Sequence, residues 1–176
     1  MNPIEDFLPR YQFREVHARR IAAPPAVAAA ALRGVDLRRS PVIGPLFALR
    51  GMPAAATLGD LLGGPFTTLR EDLPRVLIVG AVGQFWGGTM QPTSPAAFAA
   101  QQAPGCAKLA WMFAFEPLEG GRACRAVTET RVVCCDAAAR WRMQLYWWLI
   151  RPASGLIRRE MLRLLARRCS DSAPPY

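Results

Sequence analysis

Few residues in this chain are equipped for chemistry, and they are scattered. His17, in "YQFREVHARRIA", is the only imidazole. It is a candidate general base, but a lone His on a strand of ambiguous facing reads first as a structural residue. The cysteines, Cys106, Cys124, Cys134, Cys135 and Cys169, form no C-x-x-C pair. With one His to join them, a zinc site is short of ligands, so reduced structural thiols are expected, with no metal and no other cofactor. The remaining polar groups of interest stand among aromatics. Thr128 and Thr130 share a β-rich segment with Trp111, Phe113 and Phe115, and Tyr146 and Ser154 share a helical one with Met143 and Trp147. Hydroxyls on an aromatic face need partners, and orienting a polar group of a bound molecule is one way to supply them. Trp111, Phe113 and Phe115 read equally as core and as ligand wall, and the threonines also read as plain strand formers. A half-buried Tyr146 at a helix edge is likewise ordinary.

Two elements must position these groups. The first is "CAKLAWMFAFEPLEGGRACRAVTETRVVCC", two β-rich runs around Gly120 and Gly121. A two-residue Gly-Gly turn predicts a hairpin with Phe115 opposite Ala126, Phe113 opposite Thr128, Trp111 opposite Thr130 and Leu109 opposite Val132. One face is then apolar and aromatic; a turn one residue longer slips the register and takes Thr128 and Thr130 off it. The other carries Lys108, Glu116, Arg125, Glu129 and Arg131 and is expected to be solvated.

The second element is the helix that Asp136 can cap. Met143, Trp147, Ile150, Ser154, Ile157, Met161 and Leu164 recur at three and four residues, straight through the "PASG" interruption. That continuity predicts the face turned to the sheet, with small Ser154 leaving room for a cavity or a close strand. Pro152 then falls on the outer side, where a carbonyl without its helical partner reaches water. Trp141, Leu145 and Trp148 lead into Pro152, Gly155, Arg159 and Arg163 on that outer side. Their apolar patch is expected to be covered by another segment or to pair two copies as a homodimer.

The rest of the chain supplies the frame. Residues 11–22 predict a strand, "PPAVAAAALRGV" a short helix, 35–65 helical turns and loops, and "FTTLR" with "RVLIVGAVGQFW" a second hairpin around "EDLP". Gly80 and Gly83 predict a bend or a close approach in that strand. Residues 87–105 have loop composition, with a helical turn at "PAAFAAQQ", and are the candidate flap. With 176 residues, 52% of them hydrophobic, a single domain spanning 1–176 is expected, with short tails at about 1–10 and 170–176. The net charge of +9 invites a nucleic-acid reading, yet Lys108 is the only lysine, and neither a nucleic-acid motif nor a basic tail is present. No nucleic-acid partner is expected. No apolar run suits a signal peptide or a membrane span, so a cytoplasmic protein without membrane insertion is expected.

Taken in order, "FREVHARRIAAPPAVAAAALRGV", "RVLIVGAVGQFW", "AKLAWMFAFEPLEGGRACRAVTETRV" and "YWWLIRPASGLIRREML" resemble the START-like (SRPBCC) superfamily, its polyketide cyclase/dehydrase-like branch in particular. The resemblance covers roughly residues 13–165. Where an apolar Val-Trp pair often follows the Pro-Pro, this chain has Val27 and Ala28. The resemblance implies an α+β helix-grip: a curved antiparallel sheet wrapped around a long, Pro-bent C-terminal helix, gripping an apolar cavity for a lipid-like or polycyclic ligand. Superfamily members share no catalytic motif, so fold does not give function. Three functions follow as expectations. One is a non-catalytic carrier or sensor of a small hydrophobic molecule, bound by Trp111, Phe113, Phe115, Thr128, Thr130, Met143, Tyr146, Trp147 and Ser154. The second is a cyclase/aromatase- or hydratase-like enzyme using the same cavity, although no convergent acid/base pair can be assembled from the sequence. The third is an interaction module using the outer tryptophans.

Overall fold

The computed structural model describes residues 2–49, 55–91 and 93–171, so residues 50–54, residue 92 of the candidate flap, and residues 1 and 172–176 of the expected tails lie outside the described residues.

Gly120 and Gly121 take φ of 66° and 87°, the left-handed values that both central positions of a type I′ turn require. They join β5 (Ala107–Leu118) to β6 (Ala123–Cys134) in the register that a Gly-Gly turn predicts. Leu109 stands opposite Val132, Trp111 opposite Thr130, Phe113 opposite Thr128 and Phe115 opposite Ala126. On β6 lies β1 (Phe13–Ile21), and on β5 lies β3 (Val76–Gln84), which also pairs with β2 (Thr67–Asp72) and the short β4 (Thr89–Gln91). The result is a curled, unclosed antiparallel sheet of order β1-β6-β5-β3-β2. Gly83 marks a close approach: a Cβ there would lie 2.1 Å from the Thr89 carbonyl oxygen, so only glycine lets β4 cross at that point.

The inner face carries Leu77, Val79, Trp111, Phe113 and Phe115. Short helices α1 (Pro25–Leu32), α2 (Ile43–Leu49) and α3 (Leu58–Gly63) pack their apolar residues into the same core. The long α5 (Ala137–Asp171) closes it, lying on β1 and β6. This arrangement is α+β and matches a helix-grip.

The opposite face is not the solvated surface that its charges suggest. Ile78, Val82, Ala110 and Met112 are buried there beneath Ile4, Leu8 and Phe98. Ile4 belongs to a 3-10 helix over Pro3–Asp6, within the stretch expected as a tail, and Phe98 to α4 (Pro95–Ala100), within the candidate flap. Both segments are drawn over the sheet by the apolar area they remove from water. Charge is enclosed beside the N-terminal segment: Glu129 and Arg131 are only 2% and 3% exposed. The Glu129 carboxylate accepts from Arg14 Nε at 2.8 Å, Arg131 Nε at 2.7 Å and Asn2 Nδ2 at 3.0 Å. Arg131 also donates to the Leu8 carbonyl at 3.0 Å, which ties the N-terminal segment down. Burial opposes the Glu129 charge, but these hydrogen bonds outweigh it and hold the carboxyl at a pKa of about 2.

At the start of α5, Asp136 Oδ1 accepts from the Ala139 N–H at 2.7 Å, the expected cap. The helix then runs unbroken through Pro152, which is exposed. Met143, Trp147, Ser154, Ile157, Met161 and Leu164 are buried as the spacing predicts, and Ile150 is half-buried. Gly155 is a correction. Expected on the outer side, it is buried, because β1 runs beneath it. Trp141, Leu145 and Trp148 remain exposed, joined by Leu149, and α4 packs on the far face of the sheet rather than over them. Among the described residues no helix is long and apolar enough to cross a membrane.

Candidate functional site

Strand alternation lines up a polar row inside an otherwise apolar face. Glu15 on β1 stands opposite Thr130 on β6, and Thr130 opposite Trp111 on β5. The next inward row holds His17, Thr128 and Phe113. Arg158 of α5 bridges the first row from above. Its guanidinium carbon is 4.7 Å from the Trp111 ring centroid, and its Nε is 3.7 Å from Glu15 Oε2. His17 Nε2 lies 2.9 Å from Glu15 Oε1. Trp111 Nε1 donates to Thr128 Oγ1 at 2.6 Å, which satisfies one buried hydroxyl. The Thr130 hydroxyl, fully buried, has no hydrogen-bond partner among the described residues.

A cavity of about 140 Å³ lies beside this row, between the sheet and α5. Of the residues expected to bind a ligand, Trp111, Thr130, Met143, Tyr146, Trp147 and Ser154 line it. Phe113, Phe115 and Thr128 do not. The two phenylalanines are buried in the core cluster that contains Ala28, Ala29 and Leu32 of α1, and the Thr128 hydroxyl is occupied by Trp111. Sequence reasoning missed Arg158, the one charged side chain in the wall among the described residues, and also Phe47, Leu61, Phe66, Phe85 and Met90. Gly88 and Met90 come from the candidate flap, whose two halves therefore part: its start rims the cavity while α4 covers the other face of the sheet. Arg158 was legible in principle, since it stands four residues after Ser154 and three before Met161, within the inner stripe's own spacing.

Glu15 and His17 sit just outside the cavity. They line a separate outer groove with Arg14, Val16, Arg151, Pro152, Gly155 and Arg159. Arg158 links the pair to the cavity wall. On the outer side of α5, exposed Arg140, Arg142 and Arg151 accompany the tryptophans, and no carboxylate occurs between Ala137 and Arg159.

No protein-family profile matches the chain, and no curated protein matches it. Among solved structures, it is similar to TTHA0849 from Thermus thermophilus, at 11% identity over 92% of this chain and 100% of that one, with a TM-score of 0.40. It is also similar to CalU16 from Micromonospora echinospora, at 13% identity over 90% of this chain and 84% of that one, with a TM-score of 0.32. Likenesses this remote assign the chain neither a family nor a function.

Proposed function

We propose that this START-like chain binds a small hydrophobic molecule, without transforming it, in the cavity between the sheet and α5. The observation that carries the reading is the wall itself, aliphatic and aromatic almost throughout and broken only by Thr130, Tyr146, Ser154 and Arg158. Its size favours a compact ligand. A cavity of roughly 150 Å³ holds one benzene ring, so a single ring or a short alkyl chain fits better than a polycycle. The enzyme reading is weaker because the one close carboxylate-imidazole pair, Glu15 and His17, lines the outer groove and not the cavity.

Native mass spectrometry of the purified protein tests the reading. The expected result is an added mass of small-molecule size that is lost on denaturation. Bare protein that also takes up no added aromatic hydrocarbon would overturn it.

A further inference from the structure

We propose that the ligand is a small apolar carboxylic acid, its carboxylate set against Arg158 and Thr130; the inference rests on the binding role proposed above. Among the described residues Arg158 is the only charged side chain in the cavity wall, and its side chain is 12% exposed. Its guanidinium carbon lies 4.7 Å over the Trp111 ring, and a guanidinium's N–H groups suit a planar acceptor. Glu15 balances the charge from 3.7 Å, a Coulombic distance and not a hydrogen bond, while its other oxygen is engaged by His17 at 2.9 Å. The wall therefore presents a guanidinium that is ion-paired to Glu15 through Oε2, while His17 engages Oε1.

Thr130 is the independent observation. Its hydroxyl is fully buried in the cavity wall with no hydrogen-bond partner among the described residues, in the row directly between Glu15 and Trp111, which Arg158 spans. A buried hydroxyl without a partner is rare enough to require an explanation, and an acceptor atom brought by the ligand supplies one. A neutral carbonyl would satisfy Thr130 alone. A carboxylate satisfies Thr130 with one oxygen and offers the other to the guanidinium, a charge-assisted pair in a site shielded from water. Met143, Trp147 and Ile157 then surround the apolar body.

Isothermal titration with three one-ring probes, phenylacetate, phenylacetamide and ethylbenzene, tests this on the unmodified protein. Phenylacetate should bind about tenfold or more tightly than its amide. Arg158→Gln should reduce that preference to near unity, and Thr130→Val should weaken it. Glu15→Gln, which removes the competing charge, should instead strengthen phenylacetate binding severalfold and leave the amide unchanged, an effect opposite in sign to structural damage. Equal affinity for acid and amide in the unmodified protein overturns the inference even if all three variants fold poorly. Ethylbenzene separates the two readings: if it binds while the acid shows no advantage, only the carboxylate inference falls, and if no probe binds, the binding role falls with it.

Discussion

Gly155 of α5 and Glu15 of β1 share one small space: a Cβ on Gly155 would stand 2.8 Å from Glu15 Oε1 and 3.4 Å from His17 Nε2. The "PASG" interruption is thus three separate accommodations. Pro152 faces water, Ser154 opens the cavity and Gly155 lets the helix settle onto the edge strand.

Gly155→Ala tests that contact by its sign. Inside a helix, Gly to Ala ordinarily stabilises by about 0.5–1 kcal/mol. Here the added methyl must push a buried carboxylate off its histidine, so a net loss of about 1 kcal/mol is expected in urea unfolding. In a Glu15→Ala background the ordinary gain should return. A stabilised Gly155→Ala single variant would mean that Glu15 yields freely.

Trp147 and Trp148 are neighbours in sequence with opposite fates, at 9% and 79% exposure. Trp147 packs on Phe13, with ring centroids 5.4 Å apart. Trp147→Ala should cost about 3–5 kcal/mol, and Trp148→Ala under about 0.5 kcal/mol, by equilibrium denaturation. Similar effects from both would contradict the facing of α5.

Glu129 makes the fold sensitive to acid. Its folded pKa is depressed to about 2 from an ordinary 4.5, so its contribution is complete above the unfolded value and is lost as pH falls from about 5 toward 2. That shift corresponds to about 3 kcal/mol. Glu129→Gln should flatten stability against pH across that window and destabilise the protein at neutral pH, where Arg14 and Arg131 lose their counter-charge. An unchanged acid limb would show that another carboxylate governs it.

The hairpin register was legible because consecutive glycines at a tight turn leave few backbone solutions, and the inner stripe of α5 because a 3.6-residue period survives one proline. What covers a face was not legible. Alternation separates the two sides of β5 and β6, but Glu129 and Arg131 are buried against an N-terminal segment, held through Asn2 and Leu8, that is remote in sequence and without a periodic signature. The cavity divided along the same line. Trp111, Thr130, Trp147 and Ser154 follow from register and stripe, whereas Phe47 and Leu61 come from the proline-chopped stretch whose path no local pattern sets. His17 and Glu15 carried a readable signal after all, since both share the period-two face of Phe13 and Ile21.

Binding of ethylbenzene to the unmodified protein and to Ser154→Leu, followed by tryptophan fluorescence, tests the central claim most directly. Ser154 is buried in the cavity wall, so a leucine there occupies the space that a ligand would take. The account predicts a folded variant whose affinity falls tenfold or more, about 1.4 kcal/mol. A folded Ser154→Leu protein with unchanged affinity would contradict it and move the site away from the sheet and α5.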